Sequence, residues 1–361
     1  MIDITEGRTR LLIPEESIYN QTRKAPIFFN PKVRISRDMA ILAYRAYNKK
    51  ASIIDALAGI GVRGIRAKRE TNNINSVYIN DINPNAIRLA KEIAMVNNIE
   101  AIFSINEANK FLLSIDRAEI IEIDPFGTPA YYVDNALRAI KDNGMICLTA
   151  TDTPVLQGLY PKVAERRYYG RSARVEYSIE IGLRLILGML ARVAGRLELA
   201  IEPLFAHSIR NHMRVYAKVK ASKSLANYMI DNLNSFYHCF QCNNRGYERI
   251  CIKCKKDMSL IGPLWVSNIF NREFVNNMLN NYDDTLASIC KKILLIAIEE
   301  LDIISYYTID EMSRRLKIAP PSINNIIDVL NRHGFKARRS YLEFNGFKTN
   351  ANYDEILSLL R

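Results

Sequence analysis

The stretch Ala51-Ser52-Ile53-Ile54-Asp55-Ala56-Leu57-Ala58-Gly59-Ile60-Gly61-Val62-Arg63-Gly64 joins a short apolar run to a glycine turn, and the turn opens a helical pattern that reaches about Glu70. The apolar run predicts a buried strand, and the glycines let backbone come close to a ligand. Gly59, Gly61 and Gly64 satisfy the dinucleotide spacing G-x-G-x-x-G. Working outward, residues 76–80 read as a second strand, and Pro84 opens a helix to about Asn97, proline being suited to a first helical position. Residues 101–105, 118–123 and 144–150 read as three more strands, the last preceded by a helix over roughly 130–140. Apolar strands alternating with helices predict an α/β, doubly wound parallel sheet, whose ligands bind at the carboxyl ends of the strands.

The glycine spacing alone leaves two ligands open. Asp81 ends the second strand twenty residues beyond Gly61, where a ribose-binding carboxylate belongs, so a nicotinamide dinucleotide is one reading. Three features favour S-adenosylmethionine. Asp55, at the first strand's tip, suits a cationic amino-acid moiety and not a pyrophosphate. Basic residues crowd the loop and helix (Arg63, Arg66, Lys68, Arg69). The ammonium, carboxylate and ribose diol of S-adenosylmethionine would be complemented by Asp55, an arginine and Asp81. The third feature is Asp124-Pro125-Phe126-Gly127-Thr128-Pro129, at the end of the strand 118–123, which has no role in hydride transfer.

An exocyclic amine on a nucleobase is a poor nucleophile because its lone pair is delocalised into the ring. Two hydrogen-bond acceptors, the Asp124 carboxylate and the Pro125 carbonyl, would favour a pyramidal nitrogen facing the methyl group. Proline holds its own carbonyl in place, and Phe126 can stack on a flipped-out base. Positioning and electrostatics then carry the rate, without Asp124 being a strong base. The plainer reading, that Asp-Pro merely starts a turn, loses weight beside a cofactor loop on the same sheet.

Past the sheet strands, residues 175–194 read as a long helix, and 197–205 and 214–220 as strands that close the sheet's far edge. A boundary is placed near 221–225. Beyond it, Cys239-x2-Cys242 and Cys251-x2-Cys254 form two knuckles suited to a closed, structural zinc site, with His238 a bystander and Cys147 and Cys290 ordinary buried residues. Arg245, Arg249, Lys253, Lys255 and Lys256 surround the cysteines, as a solvated face or one that contacts nucleic acid. Residues 308–311 resemble a capping box, helices are expected to about Leu316 and over 321–332, and a basic hairpin follows, a winged-helix-like pattern whose Arg338, Arg339 and Lys348 could meet phosphates. The 361 residues carry a net charge of +12, which favours a polyanionic partner. The polar start and the absence of an uninterrupted apolar span predict a cytoplasmic protein away from membranes. No obligate protein partner is evident.

These motifs, in this order, resemble the tRNA guanine-26 N2-dimethyltransferase family. The resemblance is carried by Phe28-Phe29-Asn30-Pro31, Ser36-Arg37-Asp38, Asp55-Ala56-Leu57, Gly61-Val62-Arg63-Gly64-Ile65-Arg66 and Asn80-Asp81-Ile82. It continues through Asn106-Glu107-Ala108-Asn109, Asp124 to Pro129, Thr149-Ala150-Thr151-Asp152, Gly262-Pro263-Leu264-Trp265, Arg314-Arg315-Leu316-Lys317 and Lys348-Thr349. It implies a Rossmann-like class I methyltransferase domain over 1–225 and a smaller α+β, tRNA-binding domain over 226–361, with the zinc site at about 239–254 and the winged-helix-like end at about 290–361. It also implies that Arg37 and Arg66 hold the carboxylate side of S-adenosylmethionine or line its pocket, that Gly59 and Gly61 cradle it, and that Asp81 binds the ribose. Glu107, which stands where the family has aspartate, and Ala108 would flank the adenine. Asp124 would engage the guanine amine, with Phe126 and Phe28 stacking. Another nucleobase amino methyltransferase, such as an N6-adenine enzyme, shares the same logic. A DNA-binding transcription factor would use the tail but leave the cofactor loop without purpose.

Overall fold

The computed structural model describes residues 1–16 and 27–360. It opens with a hairpin, β1 (Ile2–Glu6) against β2 (Thr9–Ile13), where the sequence reading assigned no structure. Leu11 and Ile13 are buried on one face of it, a period-two pattern too short to stand out in the sequence.

Seven strands then make one sheet: β3 (Ala51–Asp55), β4 (Ile74–Asn80), β5 (Ile102–Ser104), β6 (Ala118–Ile123), β7 (Ile140–Ala150), β8 (Leu199–Ile209) and β9 (His212–Ala221). Their order is β5-β4-β3-β6-β7-β9-β8, with β3 to β7 parallel and β9 antiparallel to both β7 and β8. The expected closure of the far edge is therefore present. β7 begins at Ile140, directly after the helix Val133–Ala139, earlier than expected. The helices Val62–Glu70, Pro84–Val96 and Ser178–Arg196 follow the predicted pattern, and Ala108–Ser114 is a further short helix for which no prediction was made. Pro84 sits in the first turn of its helix, capped by the Asn83 side chain.

The chain then leaves the sheet. β10 (Leu233–His238), β11 (Arg245–Gly246) and β12 (Ser259–Trp265) form a small antiparallel sheet that carries the cysteines, and β12 lies along the helix Ser178–Arg196. The helices Arg272–Asn280 and Ser288–Glu299 pack back on the helix Arg34–Ala46. As a result the main hydrophobic core runs without a break past residue 225, from Leu11 through Trp265 to Leu294 and Tyr306.

A second, smaller core begins at Tyr307 and gathers Met312, Ile326, Leu330, Phe347 and Ile356. Around it, helices Ile309–Leu316 and Ile323–Arg332 precede β14 (Ala337–Arg339) and β15 (Gly346–Thr349), and β15 also pairs with β13 (Tyr307–Thr308). Thr308 caps its helix by accepting from Glu311 N at 3.1 Å, but the Glu311 carboxylate turns instead to the Asn243 amide. The reciprocal capping box is at Asn352 and Glu355.

Candidate active site

The carboxyl ends of β3, β4 and β6 bring Asp55, Asp81 and Asp124 to one edge of the sheet, because the three strands are parallel and adjacent. After β3 the chain turns through Gly59 (φ +54°) and Gly61 (φ +73°), left-handed conformations that favour glycine. A Cβ at Gly61 would press on Ala90 and Ile79 at 3.2–3.3 Å, so this glycine also permits close packing of the loop. A Cβ at Gly59 would face open space, its nearest neighbour the Phe28 carbonyl at 4.0 Å. Asp81 fastens the loop: Oδ2 accepts from Gly59 N at 2.7 Å and Oδ1 from Asn83 N at 2.9 Å. A carboxylate has lone pairs for further donors after these two. Asn80, fully buried, donates to the carbonyls of Ala56 and Asn106 and so ties together the loops after β3 and β5. Glu107 caps the helix that starts at the buried Ala108, accepting from Lys110 N at 3.0 Å.

Asp55 is 1% exposed; its Oδ2 accepts from Gly64 N at 3.2 Å, and its Oδ1 has no partner among the described residues. Burial, aided by the Glu122 charge, pushes its pKa up to about 8. A buried acid with an unused oxygen beside a glycine cradle fits a ligand that brings a cation.

Asp124 has the opposite character. Burial pushes its pKa up, but the charges of Arg63 and Arg214 outweigh that and hold it at about 2. Arg63 Nε donates to Asp124 Oδ2 at 2.8 Å and lies 3.8 Å from Glu122. Glu122, fully buried two residues before Asp124, is gripped by Arg214 through two hydrogen bonds of 2.5 Å and by the Tyr44 hydroxyl at 2.6 Å. Arg214 also donates to Thr149 Oγ1 at 2.6 Å. Pro125 is buried and Phe126 is 56% exposed, with the Phe28 ring against it edge-on, centroids 4.7 Å apart. Gly127 is pinned to the end of β7 by Thr151, Gly127 N donating to Oγ1 and Thr151 N to the Gly127 carbonyl, both at 2.7 Å.

The structure brings these residues together but gives Arg37 and Arg66 other partners. Arg66 is fully buried, and each of its guanidinium nitrogens meets a carboxylate of Glu6, Asp38 or Glu70. Arg37 pairs doubly with Glu6, donates to the Asn30 carbonyl and lies 4.8 Å over the Phe29 ring. Both therefore seal the N-terminal hairpin onto the body, which suits a pocket wall and not a carboxylate clamp. Arg63, which donates to Asp124, keeps its NH1 enclosed without a partner among the described residues. The sequence reading singled out neither Glu122 nor Arg214; the available signal was a charge inside each of two apolar strands.

The four cysteine sulfurs lie within 4.8 Å of one another. The Cys254 N–H donates to Cys251 Sγ at 3.4 Å and, foremost among several such contacts, holds that thiol down. His238 is engaged by the Tyr177 hydroxyl at 3.1 Å, away from the sulfur set. Arg245 is not part of a solvated face: its guanidinium lies between the rings of Tyr177 and Tyr307, 4.5 and 3.6 Å away. Lys348, expected to meet phosphates, is instead 2% exposed and paired with Glu300 at 2.8 Å and Glu180 at 3.3 Å, because β15 faces the body.

A seven-stranded mixed sheet, with a glycine loop after β3 and a polar cluster at the carboxyl edge, defines a Rossmann-like methyltransferase. Residues 7–361 match the model of the family described as N2,N2-dimethylguanosine tRNA methyltransferase, and the chain belongs to that family. It is 31% identical to the tRNA (guanine(26)-N(2))-dimethyltransferase of Methanosphaera stadtmanae, over 99% of this chain and 96% of that one. It is also 31% identical to the enzyme of the same name from Methanothermobacter thermautotrophicus, over 100% and 98%. The solved structure of Trm1 from Pyrococcus horikoshii, a complex with S-adenosyl-L-methionine, superposes with a TM-score of 0.87 at 27% identity over 99% of both chains.

Proposed function

We propose that this protein dimethylates the N2 amine of guanine 26 in tRNA, with S-adenosylmethionine as methyl donor. The observation that carries the proposal is Asp124, kept ionised at the sheet's carboxyl edge by Arg63, beside a glycine loop and an exposed aromatic ring, in a chain of this family.

The chemistry follows from what each group can do. Bound S-adenosylmethionine supplies an electrophilic methyl group. Asp55 would face its ammonium, Asp81 its ribose, and Glu107 with Ala108 its adenine, while Gly59 and Gly61 leave room for it. Arg37 and Arg66 would line the pocket from behind Phe29 and the loop, and Arg63 would serve its carboxylate side. Phe126 would stack on the flipped guanine, with Phe28 bracing the ring edge-on. Asp124 and the Pro125 carbonyl would accept from the amine and aim its lone pair. An acid held at about 2 is an acceptor at neutral pH, never a donor.

Residues 1–225 would carry the methyl transfer and 226–361 would hold the tRNA. This division is one of function, since the core is shared across it. A zinc–sulfur bond of about 2.3 Å places tetrahedral sulfurs about 3.8 Å apart, so the four cysteines suit structural zinc. The winged-helix-like module from Tyr307 onward would present Arg338 and Arg339, both exposed, to phosphates. No helix among the described residues is long and apolar enough to cross a membrane, and a tRNA substrate goes with a cytoplasmic site of action.

The test is incubation of unmodified tRNA with the protein and labelled S-adenosylmethionine, followed by nucleoside mass spectrometry. Label in N2-methyl- and N2,N2-dimethylguanosine is expected. Label confined to methyladenosine, or no label, would sink the proposal.

A further inference from the structure

We propose that His212 is a catalytic residue of this site, whose imidazole takes the proton that the guanine amine must lose on gaining a methyl group. The inference rests on the function proposed above and names the proton acceptor that reaction requires.

The balance of the step shows the need. The N2 lone pair forms the new carbon–nitrogen bond, and the pair of the broken carbon–sulfur bond stays on a neutral thioether sulfur. N2 then holds the methyl, its hydrogens and a positive charge. One hydrogen leaves as a proton, and its bonding pair returns to nitrogen. This happens once per transfer, so dimethylation releases two protons. Asp124 is a poor resting place for them, because its carboxyl is held at about 2. Arg63 and Arg214 are cations, and Glu122 is fully engaged by Arg214 and Tyr44.

His212 is placed for the task. It begins β9, which runs antiparallel to β7 with Met213 opposite Ala150 and Arg214 opposite Thr149. Its position therefore falls beside Thr151, the residue that pins Gly127 of the Asp-Pro-Phe-Gly loop. Residues two apart on a strand share a face, so His212 lies on the face of Arg214, one step nearer the strand tips and the loop. Asp124 lies close enough for each to move the other's titration. The ring is half-buried, and its Nδ1 is enclosed with no hydrogen-bond partner among the described residues. An enclosed polar atom without a partner is costly, and such groups collect where function needs them.

The charge state fits an acceptor. Burial is the main influence and lowers the pKa of His212, Asp124 on β6 raises it, and Arg63, Arg37 and Arg214, from two helices and its own strand, lower it again. His207 on β8, opposite Arg214, is a second imidazole near it and is itself held neutral by burial. With its pKa lowered, His212 is neutral at pH 7 and so has a lone pair to take a proton.

The test compares single-turnover methyl transfer to unmodified tRNA by wild type, H212N and H212A between about pH 5 and 9, with cofactor and tRNA affinities measured alongside. Expected are unchanged affinities and a loss of roughly 100-fold or more in transfer rate for H212N. The wild-type rate should rise with pH through an inflection below the ordinary histidine value, absent in H212N, and added imidazole should restore part of the H212A rate. If H212A does not fold, H212N and H212Q, checked by cofactor binding, carry the comparison. An H212N enzyme with the wild-type rate and the wild-type inflection overturns the role of His212 alone. A wild-type enzyme that leaves tRNA guanine unmethylated overturns the proposed function and this inference with it.

Discussion

At the residue scale, the site contains two aspartates whose surroundings drive them apart. Asp124, held at about 2, is an ionised acceptor at any pH the enzyme meets. Asp124→Ala should abolish methyl transfer while S-adenosylmethionine still binds, which calorimetry and the nucleoside assay would read separately. Unchanged turnover would refute its role. Asp55 is raised to about 8, so in the free protein it is mostly protonated at neutral pH. A raised carboxyl stabilises the fold below its unfolded pKa of about 4, and that contribution is lost as pH rises through 8. A cationic ligand needs the ionised form, so cofactor binding should release a proton, and affinity should climb as pH approaches 8 and level off above it. Calorimetry in buffers of different ionisation enthalpy would detect the proton. Asp55→Asn should cost more than about tenfold in affinity, since a hydrogen bond to a charged group contributes about 1.5–3 kcal/mol, yet raise the Tm of the free protein above pH 8. Equal affinity in the variant would argue against the assignment. Asp55 and Asp124 were both legible in the sequence because each follows an apolar run at a strand tip. Their opposite charge states were not, since these depend on Arg63, Arg214 and Glu122 meeting in three dimensions.

At the scale of elements, the parallel strands and their helices were legible because apolar runs alternate with capped helical patterns over short spans. The hairpin at the start of the chain was missed, since it is held by ion pairs of Glu6 with Arg37 and Arg66 that no local pattern announces. The cysteine knuckles illustrate both sides. Their spacing announced the four-cysteine cluster directly, whereas the contacts of Arg245 with Tyr177 and Tyr307 show what the knuckles brace: the body on one side, the last module on the other. Asn243, between the knuckles, adds hydrogen bonds to Glu311 and to the Tyr353 hydroxyl. Elemental analysis of purified protein should give about one zinc per chain. Stripping it with a chelator should lower the Tm and open the module to limited proteolysis while cofactor affinity persists. A metal content well under one per chain would refute the zinc site.

At the scale of the whole molecule, the last module is clamped to the body by Lys348 between Glu180 and Glu300 and by the Tyr341 hydroxyl on the Ala206 carbonyl. That leaves Arg338 and Arg339, on β14, exposed. Reversing both charges should weaken tRNA binding and flatten its salt dependence by about 0.9 log units per lost phosphate contact, with S-adenosylmethionine affinity unchanged. Filter binding across a salt series would measure it, and an unaltered slope would remove these arginines from the interface. The sequence by itself determined the sheet, the glycine loop, Asp124 and the cysteine site, because each is written in residues close together along the chain. Only the tertiary structure decided which basic residues stand exposed and which are fasteners, and which groups surround Asp124. An arginine or lysine reads the same in any sequence, and its role is set by the carboxylate that folding brings beside it. β9 shows this most clearly: it runs backward along β7 and so delivers Arg214 and His212 to the edge where Asp124 already stands.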